Sequence, residues 1–322
     1  MNNKLHTPIG TADILESQYQ IKENVTAVLK QCFTEYGYSM VQTPMYEYAD
    51  VFLYEESDTT SEKLIKFVDN EGYLLTLRPD FTPQIARMAA TSLINRELPL
   101  KISYLGQTFR NDEAYGGFKQ REFTQAGIEL MGIADETADI ETITLTIDAL
   151  RKCGVQDFKI DIGHVGYFKG LIADLRLSQE QAEQLRDLID FKNFAAIGEF
   201  VAKHGLQGSE TEALCALPEL FGGIEVIEKA MALSGQDNAA LMNLKKITDL
   251  LCKKGYSNFI TIDLGLLPNL NYYTGVVFKG ICAGQGFPLC SGGRYDKLLC
   301  RFGRDMAAVG VAINVDRIVG AI

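Results

Sequence analysis

The chain has 322 residues, 47% of them hydrophobic, enough for one large core and a smaller one within about two domains. Its 42 acidic side chains against 31 basic ones leave a net charge of −11, which argues against a basic nucleic-acid surface, and no dense Lys/Arg run with interleaved aromatics appears. No span approaches the ~18 apolar residues of a membrane helix. The N-terminus, Met1-Asn2-Asn3-Lys4-Leu5-His6, lacks a signal-peptide pattern, so a soluble cytoplasmic protein is expected.

In chain order, Ile21, Val25, Val28, Leu29, Cys32, Phe33 and Tyr36 recur at helical spacing, and Gly37 is placed to end that helix. Strand-like runs are expected at 38–43, 73–77, 102–109 and 122–131, with a helix at about 83–93. A further helix at about 136–152 leads into a strand at 158–162. Strands that follow one another through short turns, with helices bunched elsewhere, indicate an α+β fold with an antiparallel sheet. Composition shifts near Gly163-His164-Val165-Gly166, and the segment from Leu177 to Lys254 is rich in helix formers. Ser178 with Gln181 fits a capping box, and Gly205, Gly222-Gly223 and Gly235 fit helix breaks. Strands resume at 259–264 and 272–278. The expected organisation is a discontinuous core domain, 1–164 and 258–322, with a helical insertion domain at 165–257.

Several chemistries find no support. The seven cysteines are scattered, odd in number and contain no C-x-x-C pair, so reduced thiols are expected rather than a disulfide framework or zinc site. The three histidines, His6, His164 and His204, are far apart and lie in no H-E-x-x-H pattern, so no metal is expected. Gly284-x-Gly286 and Gly292-Gly293 form neither a P-loop nor a dinucleotide fingerprint and are expected as tight turns flanking strands. No nucleophile elbow is present, and no cofactor is expected.

The most informative stretch is Phe109-Arg110-Asn111-Asp112-Glu113, followed across a Gly-rich turn by 120–129. It reads as a strand, a loop and a returning strand. Alternation places Arg121, Phe123, Gln125, Gly127 and Glu129 on one side and Glu122, Thr124 and Ile128 on the other. Gln125 and Glu129 can share one pocket, and Arg110 suits a carboxylate or phosphate. An exposed polar sheet face would carry the same pattern.

The stretch also resembles motif 2 of class II aminoacyl-tRNA synthetases, most closely the histidyl branch. Gly37-Tyr38-Ser39-Met40-Val41-Gln42-Thr43-Pro44 resembles motif 1, the dimer segment of that family, and Leu77-Arg78-Pro79-Asp80-Phe81-Thr82 resembles its turn for the histidine amino group. Leu270-Asn271-Tyr272-Tyr273-Thr274-Gly275 is similar to the second histidine signature. Ser291-Gly292-Gly293-Arg294-Tyr295-Asp296, through Gly310 to Arg317, is similar to motif 3. The resemblance is collinear except between about 165 and 257. It implies a class II synthetase-like sheet flanked by helices. It also implies that Asp80, Thr82 and Gln125 receive an α-ammonium, Arg110 a carboxylate, and Glu129 with Tyr272 or Tyr273 an imidazole. Arg110, Phe123 and Arg317 would mark the former nucleotide site. Each residue has a plainer reading: sheet packing for Tyr272 and Tyr273, capping of the helix at Pro83 for Asp80, and a structural salt bridge for Arg110.

Two departures redirect the function. Pro268 stands where the synthetases carry an arginine that acts at the histidine carboxylate, and proline has no side-chain donor. The chain ends at Ile322, five residues after Arg317, so an anticodon-binding domain is not expected. What remains resembles the synthetase-like regulatory subunits of ATP phosphoribosyltransferase. That resemblance implies a non-catalytic protein with no catalytic residues of its own and no tRNA or membrane partner. It would pair with itself as a homodimer and join a short-form catalytic subunit in a hetero-oligomer. There it would activate that subunit at the first step of histidine biosynthesis, with histidine as feedback effector. The effector could lodge in the retired synthetase pocket or where the two subunit types meet. The alternative is a truncated histidyl-tRNA synthetase-like enzyme that activates an amino acid.

Overall fold

A computed structural model of the protein describes residues 3–54, 59–111, 120–173, 175–268 and 273–322. The first long helix, α1 (Glu16–Glu35), buries Val25, Leu29, Cys32 and Phe33. Ile21, on the same expected stripe, is 41% exposed, so only the second half of the helix packs on the core. Gly37 adopts φ +82° just beyond its end, a left-handed conformation that glycine enters without a Cβ clash.

Short strands β1 (Ser39–Met40), β2 (Tyr46–Tyr48), β3 (Lys66–Val68) and β4 (Leu74–Leu77) precede helix α2 (Thr82–Ala90). Two ten-residue strands follow, β5 (Leu100–Phe109) and β6 (Glu122–Met131), then α3 (Glu136–Lys152), whose first turn is capped by Asp135 accepting from the Thr137 amide. After β7 (Phe158–His164) come α4 (Val165–Ile172), α5 (Gln179–Asp190), α6 (Phe194–His204), α7 (Ser209–Ala216), the two-residue β8 (Phe221–Gly222), α8 (Glu225–Ser234) and α9 (Ala239–Lys253). Ser178 and Gln181 form the expected reciprocal capping box on α5. The chain closes with β9 (Ile260–Asp263), β10 (Val276–Cys282), β11 (Cys290–Arg294), β12 (Ala308–Asn314) and α10 (Val315–Val319).

The central sheet runs β1-β5-β6-β12-β11-β10-β7-β9-β8, and a small second sheet runs β2-β4-β3. From β5 to β7 the central sheet is antiparallel, as expected. The pairs β1/β5 and β7/β9 are parallel. Parallel neighbours need a long crossover. The segment 165–257 supplies it for β7 and β9, and its buried Leu185, Ile197, Leu214, Ile227 and Leu244 join Ile160 and Ile162 of β7 in one apolar cluster. Among the described residues no helix is long and apolar enough to cross a membrane.

The two faces of the sheet are unlike. Ala126, Ile128 and Leu130 pack under α1 and α3 in the large cluster. The opposite face carries a smaller cluster containing Ile85 of α2, Tyr104, Leu266, Tyr273, Tyr295 and Val277. Two expectations are revised. Gly292 and Gly293 are not turn residues but lie inside β11. A Cβ on Gly292 would stand 2.4 Å from the Gly310 carbonyl oxygen, and one on Gly293 would stand 2.6 Å from that of Val276. The glycines there serve close approach, not chain reversal. The strand expected at 38–43 is only Ser39–Met40, because beyond it the Thr43 hydroxyl turns to bond Gln84 (2.7 Å) and the Arg78 guanidinium takes the Thr43 carbonyl (3.0 Å).

Candidate functional site

Glu129 lies at the centre of the smaller-cluster face. Period-two alternation along β6 sends Gln125, Gly127 and Glu129 to this face while Ala126, Ile128 and Leu130 enter the main core. The glycines opposite make the room. Gly310 of β12 pairs with Glu129, and Gly293 of β11 pairs with Gly310, so a floor of bare backbone adjoins the carboxylate. Tyr273 covers Gly293, where a Cβ would come within 2.9 Å of its ring. Tyr104 similarly covers Gly127.

The turn into α2 forms the wall. Arg78 sits beside Gly106, donates to the Gln107 carbonyl (2.7 Å) and stacks its guanidinium 4.0 Å from the Phe81 ring centroid. Phe81 in turn stacks on Tyr104 at 4.4 Å. This packing fixes the turn that presents Asp80 and Thr82. The Thr82 hydroxyl donates to Glu129 Oε1 (2.7 Å), and the Tyr295 hydroxyl donates to Oε2. Gln125 donates Nε2 to Asp80 Oδ1 (3.2 Å), which also accepts the Phe81 amide (2.8 Å). Among the described residues the buried Gln125 Oε1 has no hydrogen-bond partner, an unusual state for a buried acceptor.

Burial pushes the Glu129 carboxyl up to about 8, with the Tyr295 and Thr82 hydroxyls opposing the rise and the Asp80 charge adding to it. A donor or cation brought into this site would favour the ionised form. The chemistry on offer is an acceptor set: one buried carboxylate, a second carboxylate at Asp80, and an orphaned amide oxygen.

Arg110 lies at the end of β5, bonding the Pro79 carbonyl through Nε (2.8 Å) with its guanidinium 5.5 Å from the Phe123 ring centroid. It has no salt bridge among the described residues. Arg317 of α10 donates to the Pro288 carbonyl (2.6 Å) and lies 5.1 Å from the Phe287 ring centroid; burial, reinforced by the Arg110 charge, lowers its pKa. The structure therefore brings Asp80, Thr82, Gln125, Glu129 and Tyr273 to one sheet face, with Arg110, Phe123 and Arg317 toward its other end. Tyr272 lies outside the described residues. Pro268 is half-buried on the segment that follows β9.

Tyr295 is the residue that sequence reasoning missed. It sits within the quoted motif 3-like run, where nothing local marks it as a partner of Glu129, 166 residues away. Arg294 proves structural: it bonds both Asp139 oxygens (2.9 and 3.0 Å) and the carbonyls of Ile133 and Asp135. Gly127 could have been suspected from β-strand alternation, since it shares a face with Gln125 and Glu129 and a glycine inside a strand signals close approach.

An antiparallel sheet edged by parallel pairs, with a carboxylate floor walled by a strand-to-helix turn, defines a class II synthetase-like protein. The Histidyl-tRNA synthetase family profile matches residues 10–318. The chain is 43% identical to the ATP phosphoribosyltransferase regulatory subunit of Clostridium acetobutylicum, over 100% of this chain and 80% of that one. It is 41% identical to that of Acetivibrio thermocellus, over 99% and 77%. A solved ATP phosphoribosyltransferase regulatory subunit/histidyl-tRNA synthetase from Bacillus halodurans superposes with a TM-score of 0.89 at 37% identity, covering 98% of this chain and 83% of that one. A histidine–tRNA ligase subunit from Alicyclobacillus acidocaldarius gives 0.83 at 26%, covering 98% and 96%. The chain belongs to the family of ATP phosphoribosyltransferase regulatory subunits.

Proposed function

We propose that this chain binds and activates a separate short-form catalytic subunit that condenses ATP with phosphoribosyl pyrophosphate, and that free histidine inhibits the complex through the site at Glu129. The observation that carries the reading is the acceptor set on one sheet face: Glu129 held by Thr82 and Tyr295, beside the orphaned Gln125 oxygen and Asp80. An α-ammonium group satisfies Asp80, Thr82 and Gln125. An imidazole N–H satisfies Glu129, its other nitrogen facing Tyr273 or Tyr272, and Arg110 takes the carboxylate.

The protein is a non-catalytic partner in this reading. Pro268 supplies no charge where a synthetase has its carboxylate-directed arginine. The net charge of −11 makes tRNA a poor ligand. The chain acts in the cytoplasm and pairs with itself through α1 and the segment to Pro44, as a homodimer within the hetero-oligomer. Its division into a core, 1–164 and 258–322, and a helical insertion, 165–257, belongs to the same proposal.

Mixing the two purified subunits tests it. A stable hetero-oligomer with phosphoribosyltransferase activity is expected, and Glu129→Gln should keep that activity while relieving histidine inhibition. A catalytic chain equally active and equally histidine-sensitive alone would refute the proposal. The family profile keeps one alternative in play, an amino-acid-activating enzyme, which ATP–pyrophosphate exchange separates.

A further inference from the structure

The helical segment 165–257 bonds to residues 263–267 and 273 beside the site. Lys169 of α4 donates its ammonium to the Tyr273 carbonyl (3.0 Å). Asp190, at the end of α5, accepts the Leu267 amide at 3.4 Å. Lys192, in the turn after α5, lies 3.8 Å from Asp263 Oδ2, and Lys279 of β10 approaches the same oxygen at 3.9 Å. Asp263 itself accepts the Gly265 amide (3.1 Å), and Leu264 donates to the Leu220 carbonyl (3.0 Å).

These contacts fall on and to either side of 264–267, where side chains part to two sides. Leu267 packs into the main core with the helices, whereas Leu266 packs with Tyr273, Val165 and Val277 on the face that carries Glu129. There is little slack in the fit. A Cβ on Gly265 would stand 3.2 Å from the Leu217 carbonyl, and one on Gly163 would stand 2.6 Å from that of Asp263 and 3.2 Å from Leu266 Cβ. A shift of α5 or α4 against the sheet must move 264–267 or break these bonds, and Leu266 passes the displacement to Tyr273.

We infer that Lys169 and Asp190 are positioning residues through which the helical segment sets the histidine affinity of the site. This rests on the histidine reading given above. A ring that covers Gly293 can meet an imidazole only while its backbone is held. The ammonium on the Tyr273 carbonyl and the carboxylate on the Leu267 amide supply that hold from outside the sheet. A partner that moves the helical segment would thereby change histidine affinity without touching histidine.

The test uses the full chain. Lys169→Met and Asp190→Ala should each weaken histidine binding about tenfold in calorimetric titration, within the usual range of coupling between sites. Amide hydrogen exchange at 264–267 and 273–276 should quicken in both. Lys169→Arg and Asp190→Asn, which keep the donor and the acceptor, should restore both readouts. Leu29→Ala, a cavity under α1, which packs on α3 and α10 and not on α4 or α5, should lower the melting temperature while leaving affinity and local exchange as in the parent. Unchanged affinity and exchange in Lys169→Met and Asp190→Ala would overturn the inference, as would an equal affinity loss in Leu29→Ala. Should the parent protein bind no histidine, the reading of the site falls; quickened exchange in the two variants would then still uphold the tether, and unchanged exchange would remove it too.

Discussion

Gly310 lies directly opposite Glu129 in the β6/β12 ladder, and a Cβ at position 310 would stand 1.8 Å from the Glu129 Oε2 oxygen. The glycine is what lets a fully buried carboxylate lie along the sheet and reach the Thr82 and Tyr295 hydroxyls at once. Gly310→Ala should displace the carboxylate, lower stability by roughly 1–3 kcal/mol as overpacking does, and abolish histidine binding. Thermal melts paired with calorimetric titration check it; an alanine variant that binds like the parent would show that the carboxylate position is unimportant.

Removing either hydroxyl should expose how Glu129 is held. Thr82→Val and Tyr295→Phe each leave one carboxylate oxygen without its donor, which costs about 1–3 kcal/mol, or roughly 5- to 150-fold in histidine affinity. Both variants should also raise the Glu129 pKa further, since each hydroxyl favours the ionised form. Binding isotherms from pH 6 to 9 would reveal this as a midpoint shifted to higher pH.

Stability should fall as pH rises. Burial raises the folded-state pKa of Glu129 from 4.5 to about 8, so between those values the native state keeps a proton that the unfolded chain has released. Its contribution is fully present below pH ~4.5 and is lost as pH climbs through about 8. Glu129→Gln carries no such proton. Its stability relative to the parent should therefore improve by up to a few kcal/mol between pH 5 and 8.5, read from denaturant midpoints. A constant difference across that range would count against a protonated Glu129.

Arg294 should matter for folding and not for ligand. Its guanidinium is buried against Asp139 and caps the carbonyls of Ile133 and Asp135 ahead of α3. Arg294→Met leaves Asp139 unpaired inside the protein, at a cost of about 3–5 kcal/mol. Histidine affinity of the remaining folded fraction should be unaltered, which separates this arginine from the ligand-facing residues.

Histidine-dependent ATP–pyrophosphate exchange should not rise above background. Arg110 and Arg317 remain near Phe123 and Phe287, so nucleotide binding alone would not contradict this. Exchange activity would, because Pro268 offers nothing to act at the carboxylate.

Much of this protein was legible before folding was considered. Period-two alternation along 122–131 placed Gln125 and Glu129 on one face and Ile128 on the other, because side-chain direction in a strand depends only on parity. The capping box at Ser178, the end of α1 at Gly37 and the bounds of α3 are likewise local, set by hydrogen bonds within a few residues. Other features depend on chain segments far apart in sequence. The parallel pairing of β7 with β9 spans the whole helical segment, and nothing local distinguishes it from an antiparallel neighbour. Gly292 and Gly293 read as a turn until Gly310, Phe278 and Val276 were placed beside them. Tyr295 became a partner of Glu129 only when β11 and β12 brought position 295 back over β6, 166 residues away. The sequence determined which groups could recognise a ligand and which way each strand presents them. Tertiary structure alone decided which of them meet, how deeply Glu129 is desolvated, and that Lys169 and Asp190 hold the backbone leading to Tyr273, because burial and contact are properties of the assembled sheet and not of any stretch of chain.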